Sequence, residues 1–414
     1  MDYLRRRNDG EGQRATTLEL FYDLVFVFAI TQVSHLLLEH LTWAGAGQSL
    51  LVLLVVWWSW NYTTWVTNEL DPESISVRVL MITLMLLSLL MSVAIPGAFE
   101  GQALLFAGSY VAIQVGRHAF LTFFASGPGT IERERAGRIL TWFVAAGVLW
   151  IAGALADGPT RIVLWMAALA LDYVAPLVVY WVPGRRRLAG ASWNVETEHF
   201  AERFQLFIII ALGETIVITG ATTSELDLGA ARLAAFGLAF VTTAAMWWLY
   251  FNYVARIAQR QLELSANRTT RARDGYTYLH VVMVAGIIVS AVGDELVIAH
   301  PTEVLPPPEI AVVVAGPGLY LLAHALFRRR MTGSWGPKRL LGAAGCLAVG
   351  AAGPFVPALV LAGLVIAVLA AVIVSEHVAA ARRTRRGEPT PLERLEASAT
   401  GGDPTPLKRP PPPS

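Results

Sequence analysis

Apolar stretches near or above 18 residues recur from one end of this 414-residue chain to the other, parted by short segments in which arginine collects. Nothing else in the sequence restricts the fold so tightly. Each stretch can cross a hydrocarbon core of roughly 30 Å as a helix, and a chain in lipid must satisfy its backbone within helices or a closed barrel. Runs of this length suit helices, so the reading is an all-α, polytopic membrane protein. Composition agrees: 15% of the residues are charged and 55% hydrophobic, where a soluble domain carries about 25% charge. Twelve spans are expected, at 18–39, 47–67, 77–95, 102–125, 136–156, 160–181, 202–220, 229–253, 276–298, 308–330, 339–353 and 356–377. The eleventh, RLLGAAGCLAVGAAG, is short and stopped by Pro354 and Pro357, so it is a kinked span or one arm of a re-entrant hairpin.

The basic residues set the orientation. With the N-terminus in the cytoplasm, 29 of the 32 lysines and arginines fall in cytoplasmic segments, and only Arg161 and Arg232 fall outside. Arg117 lies within a span. That is the positive-inside pattern, and it predicts both termini in the cytoplasm of a bacterial plasma membrane. The basic charge thus marks topology and does not point to nucleic acid. The opening MDYLRRRNDG precedes an uncleaved first span rather than a signal peptide, because no small-residue cleavage site follows. A single cysteine, Cys346, excludes an internal disulfide framework.

An internal repeat is expected as well. WWSWNY (Trp57–Tyr62) ends the second span and WWLYFNY (Trp247–Tyr253) the eighth. Glu19 and Phe21 match Glu202 and Phe204, FAITQ sits near IALGE with a one-residue slip, and Tyr110 matches Tyr320. The offset grows steadily from 183 to 210, as loop insertions require. Six spans per half is an even number, so the halves are parallel, with their axis along the membrane normal. The chain then divides into a cytoplasmic N-terminal segment (1–17), a first half (18–181), a cytoplasmic linker (182–201), a second half (202–377) and a disordered, proline-rich cytoplasmic tail (378–414).

Polar residues inside the spans are the candidates for function. In TTLELFYDLVFVFAITQVSHLL, Glu19 and Asp23 lie one turn apart. An Asp at a span centre costs about 2.5–3.5 kcal/mol, against roughly −0.3 to −0.6 for each Leu, Ile, Phe or Val. The first span has thirteen such apolar residues and can still insert. Arg203 and Glu214 share a face of the seventh span but stand about 16 Å apart along its axis. Arg203 should therefore pair with Glu19 or Asp23, while Glu214 needs a partner among Gln32, His35, Arg117 and His118. Glu19, Glu202 and Arg203 suit a structural ion-pair network. Asp23 and Glu214 suit the lining of a proton or cation path. Asp172, with Pro176 one turn later, suits a wet cavity. Arg117 and His118 lie near a span end, where an arginine can snorkel. WWSWNYTTW reads as an aromatic belt at the boundary, Asn61 and Asn252 as hydrogen-bonding partners across the repeat interface, and Asp294–Glu295 as solvated acids near the outer mouth. The eight histidines show no metal-ligand spacing, and no cofactor motif is present.

These residues also carry a family resemblance. LELFYDLVFVFAITQVSHLL with HFAERFQLFIIIALGETIVI resembles the bacterial low temperature requirement A (LtrA) family of multi-pass membrane proteins, with Glu19, Phe21, Asp23, His199, Glu202, Arg203, Gly213 and Glu214 in place. The likeness runs to about residue 380. That family is named for a growth requirement in the cold, so it implies a membrane protein and no particular chemistry. FYDLVFVFAIT is also similar to the F-S-D opening helix of a potassium-channel family of endolysosomes and bacteria, which has six plus six spans and both termini inside. Here Tyr22 replaces its serine, and Arg14 lies seven residues before Phe21 rather than four.

Three functional classes remain open at this point. A transporter or channel for protons or monovalent cations needs a water-accessible cavity reaching Glu214. An intramembrane or lipid-handling enzyme needs a lateral opening beside His35 or His118. A structural or sensory protein of the bilayer needs only a dry, fully paired interior.

Overall fold

A computed structural model describes residues 3, 14–186, 188, 195–224 and 226–400; most of the N-terminal segment, part of the linker and the end of the tail lie outside the described residues. It is all-helical. The helices are α1 (Thr17–Glu39), α2 (Trp43–Thr67), α3 (Ile75–Val93), α4 (Ala103–Phe120), α5 (Ile131–Leu155), α6 (Gly158–Val174), α7 (Thr197–Ser224) and α8 (Ala230–Leu249). They continue with α9 (Ala255–Glu263), α10 (Arg268–Arg271), α11 (His280–Ala299), α12 (Pro307–Thr332), α13 (Pro337–Gly350), α14 (Ala358–Arg385) and α15 (Pro391–Thr400). π-Helical turns at Leu121–Ala125, Tyr250–Val254 and Ala272–Leu279 extend α4, join α8 to α9 and join α10 to α11.

Nine helical runs among the described residues are long and apolar enough to cross a membrane: α1, α2, α3, α5, α7, α8–α9, α10–α11, α12 and α14. Helices also occupy the other three segments read as spans, α4, α6 and α13, but they are shorter or more polar and are not counted among the nine. The outward faces of the nine are apolar: Phe21, Leu24, Val79, Val148 and Val217 are all exposed. In lipid such a surface is the expected one, and the polar groups turn inward.

Local chemistry sets the helix ends. Thr16 and Glu19 form a reciprocal capping box at α1. The Thr42 and Thr130 hydroxyls accept from the backbone N–H of Gly45 and Arg133 at the starts of α2 and α5. Gly333, with φ 73°, closes α12. Within the first half, α1 packs on α2 and α3, α3 on α4, α4 on α5, and α5 on α6. In the second, α7 packs on α8 and α11, α11 on α12, α12 on α13, and α13 on α14. Helices α1 and α2 meet α7 and α11 between them.

Two expectations are corrected here. The tryptophans of WWSWNYTTW do not form a boundary belt: Trp57, Trp58 and Trp60 are at most 1% exposed. They pack against Phe204, Phe207 and Tyr173, because α2 has helices of both halves, α1, α4, α6, α7 and α11, around it. Residues 378–400, expected within the disordered tail, are largely helical: α14 continues to Arg385, and α15 is capped by Thr390 and reaches α9 through Glu396 and Arg260. Pro391 at the first position of α15 suits a helix start.

Candidate functional site

The contacts between α1 and α7 climb both helices together. Glu19 meets His199 and Arg203, Asp23 meets Arg203, and Thr31 meets Glu214. The two helices are therefore parallel neighbours, and their shared seam holds two carboxylate groupings of different character.

The first grouping is paired. Arg203 Nη2 lies 2.5 Å from Asp23 Oδ1, and Nη1 lies 3.3 Å from Glu19 Oε1. Trp60 Nε1 donates to the same Asp23 oxygen at 2.7 Å. His199 Nε2 stands 3.0 Å from Glu19 Oε1. The Asn68 amide donates to His199 Nδ1 at 3.0 Å, which leaves Nε2 as the donor toward Glu19. The backbone of Glu196 holds that amide in place, donating to Oδ1 and accepting from Nδ2. Glu202, half-buried, accepts the Ala15 N–H at 2.8 Å. Glu19, Asp23, His199 and Arg203 are all at most 1% exposed, so two acids share one guanidinium away from water. The structure thus brings Arg203 to both acids that the sequence offered it.

Among the described residues, the second grouping is not paired with a cation. Glu214 is buried, and its carboxylate accepts the Thr31 hydroxyl at 2.6 Å. None of the four partners proposed from the sequence bonds to it. His35 stands near but is exposed. A methyl group on the neighbouring Gly213 would meet open space.

The remaining candidates lie in the first half. Arg117 does not snorkel. It is fully buried and donates to the Thr63 hydroxyl at 2.9 Å, to the Ser59 carbonyl at 3.3 Å and to Gln114 Oε1, with its guanidinium over the Tyr62 ring. Buried His118 lies with Nδ1 against the Gln114 carbonyl. Asp172 is buried too, and Oδ2 accepts from Tyr110 at 2.8 Å and from Trp150 at 3.0 Å. Asn61 accepts from Thr277 of the second half, whereas Asn252 is exposed and does not mirror it. Asp294 and Glu295 are half-buried rather than fully solvated.

A cavity of about 100 Å³ opens where the end of α2 meets α5 and α10, walled by Asn61, Tyr62, His118, Tyr180, Arg135 and Thr277 among others. Glu69, just beyond α2, pairs there with Arg135. Burial pushes its carboxyl up, against the pull of that guanidinium.

One cluster escaped the sequence reading. Buried Arg339 holds Glu376 at 2.9 and 3.0 Å and lies 2.6 Å from His324 Nδ1, and close by Tyr250 and His280 are hydrogen-bonded at 2.8 Å. The available signal was Tyr320 and His324, one turn apart in an apolar run. Among the described residues no three His, Cys, Asp or Glu side chains converge as metal ligands.

Comparison with known proteins places these motifs. An uncharacterized protein of Rhizobium meliloti is 38% identical over 336 residues, covering 80% of each chain. No solved structure matches. The family model of the bacterial low temperature requirement A protein (LtrA) matches residues 14–374, a stretch that contains α1 through most of α14 and both carboxylate groupings. The chain belongs to the LtrA family.

Proposed function

We propose that this protein moves protons or monovalent cations across the bacterial plasma membrane, between two parallel six-helix halves (18–181 and 202–377) that make twelve crossings and leave both termini in the cytoplasm. The observation that carries the reading is Glu214: a buried carboxylate at a helix–helix seam, held by a hydroxyl and, among the described residues, by no guanidinium or ammonium. An ionised acid without a counter-charge is costly inside a membrane. The group therefore takes a proton or a cation, and exchanging either is a transport step. Asp23 lies on the same seam, but Arg203 already neutralises it.

The packing supports the repeat. The neighbours α1/α2, α1/α3, α3/α4, α4/α5 and α5/α6 have counterparts in α7/α8, α7/α11, α11/α12, α12/α13 and α13/α14. Contacts of α1, and of Ala15 just before it, with α7 join residues 180 to 187 apart, around the offset of 183 that aligns Glu19 with Glu202. Two equivalent helices that touch at equivalent residues must lie beside the axis relating the halves, and Glu214 is then on it. The one-residue excess of WWLYFNY over WWSWNY coincides with the π-helical turn at Tyr250–Val254, the local form that a single insertion gives a helix.

In liposomes, the wild type should dissipate an imposed proton or potassium gradient, and Glu214→Gln should reduce that flux to the level of empty vesicles while eluting as folded protein. Flux unchanged by Glu214→Gln across a panel of cations would overturn the reading. Orientation is tested separately. A reporter active only in the cytoplasm should work when fused after residue 385 and fail when inserted at Asp157; activity at Asp157 would sink the twelve-crossing topology.

A further inference from the structure

Two of the buried charges in the first half, Arg117 and Asp172, have no ionic partner among the described residues. Arg117 on α4 is fully buried, with hydroxyl, carbonyl and amide oxygens around it and no carboxylate. Asp172 on α6 is 2% exposed, with a phenol and an indole N–H around it and no cation. Tyr110, Gln114 and Arg117 lie at positions i, i+4 and i+7 of α4, one stripe of the helix. Tyr110 donates to Asp172, Gln114 sits beside the Tyr110 hydroxyl, and Arg117 donates to Gln114. A line of side chains thus runs from the acid to the guanidinium.

Three atoms of that line have no hydrogen-bond partner among the described residues: Asp172 Oδ1, Gln114 Nε2 and Arg117 Nε. One is an acceptor and two are donors. Buried polar groups in native proteins are seldom left bare, and a water with two to four polar neighbours is the usual remedy. The line also ends near solvent. The Arg117 guanidinium lies 5.5 Å over the Tyr62 ring, and the Tyr62 and Tyr180 hydroxyls, 2.5 Å apart, both belong to rings that wall the cavity. Tyr180 reaches that wall because the chain turns back after α6 through Val179 and Tyr180, with φ of 53° and 50°. A β-branched residue in the left-handed region is strained, by about 1–3 kcal/mol. The fold maintains a strained turn between Asp172 and the cavity.

We infer that Asp172 is a second proton-exchanging site of the membrane interior, reached from the cavity beside Tyr62 through waters bridging Asp172, Gln114 and Arg117. The titratable groups facing it are Tyr110 of α4, Tyr62 of α2 and, on its own helix, Tyr173; α5 contributes the Trp150 N–H alone. With Arg117 fixed, losing the Asp172 proton takes the pair from a charge of plus one to zero. The proton leaves the carboxyl for a bridging water and departs to solvent in the cavity, and no electron changes hands. The site stands apart from Glu214 and does not depend on transport.

Difference infrared spectroscopy on the full-length Glu214→Gln protein in detergent tests this. A carboxylic acid band should be lost on raising the pH, should shift in D2O, and should be missing when Asp172→Asn is added. Where Asp172→Asn does not fold, Asp172→Glu serves, because the band then moves in frequency. A band that responds to neither D2O nor pH means a sealed site, and a band unaltered by both substitutions belongs to another acid. Either result overturns the inference, and neither bears on flux through Glu214.

Discussion

Replacing Arg203 with glutamine should destabilise the protein by roughly 3–5 kcal/mol, the cost of breaking a buried ion pair from one side. The size follows from what stays behind. Glu19 and Asp23 are at most 1% exposed, and the substitution removes the guanidinium that reaches both of them across the seam. Trp60 and His199 still donate, yet neither carries the fixed charge that offsets two carboxylates. Arg203→Lys should recover only part of the loss, since a single ammonium cannot repeat a fork that reaches two acids. Thermal unfolding in detergent measures this. Adding Asp23→Asn to Arg203→Gln should restore part of the stability relative to Arg203→Gln alone, because one of the two acids left behind is then replaced by a neutral amide. Additive losses in that double-mutant cycle would mean the pair is not coupled and the network is misassigned.

The sequence made the paired end of this seam legible and left the other end obscure, for one physical reason. Arg203, Glu19 and Asp23 are charged and rare within apolar runs, so charge balance alone limits their partners. Thr31 is neutral, and a helical threonine commonly bonds its own backbone, as Thr31 also does with the Val27 carbonyl. Nothing in its spacing marks it as the partner of Glu214. The tryptophans show a related blindness. In a soluble helix the apolar stripe indicates the buried face. In a helix surrounded by lipid every face is apolar, so Trp57 and Trp60 inside the bundle look like Trp247 and Trp248 on its surface, both 46% exposed. Span positions can therefore be read from the sequence, while rotation about each helix axis is readable only where a polar residue marks it. The helical stretch beyond residue 377 was missed differently. Arginine there signals topology, and the same residues are good helix formers once an apolar span leads into them.

The second large effect is expected where α11 meets α12. A methyl group added to Gly316 would stand 2.4 Å from both the backbone nitrogen and the hydroxyl of Ser290, and 2.7 Å from its Cα. One added to Gly286 would stand 2.8 Å from the backbone nitrogen of Tyr320, and one on Gly293 would stand 3.0 Å from the Cα of Val313. Apart from the Ser290 hydroxyl these are backbone atoms of packed helices, which cannot swing aside as a side chain can. Lipid tails are as apolar as the helix surfaces, so close contact between small residues supplies much of the association energy. Gly316→Val should therefore force the helices apart and cost about 3 kcal/mol or more, the upper range for overpacking. The damage should spread to the neighbouring cluster. Tyr320 donates to the Met246 carbonyl at 2.8 Å and packs its ring, tilted by 58°, against His324, which in turn meets Arg339. Gly363→Ala on α14 is the control. Its added methyl meets nothing within 4 Å, and the gain in helix propensity is up to about 1 kcal/mol. Unfolding temperatures in detergent should fall steeply for the first variant and hold or rise for the second. If Gly316→Val melts with the wild type, α11 and α12 do not touch through their glycines, and the tightest packing in the second half has been placed wrongly.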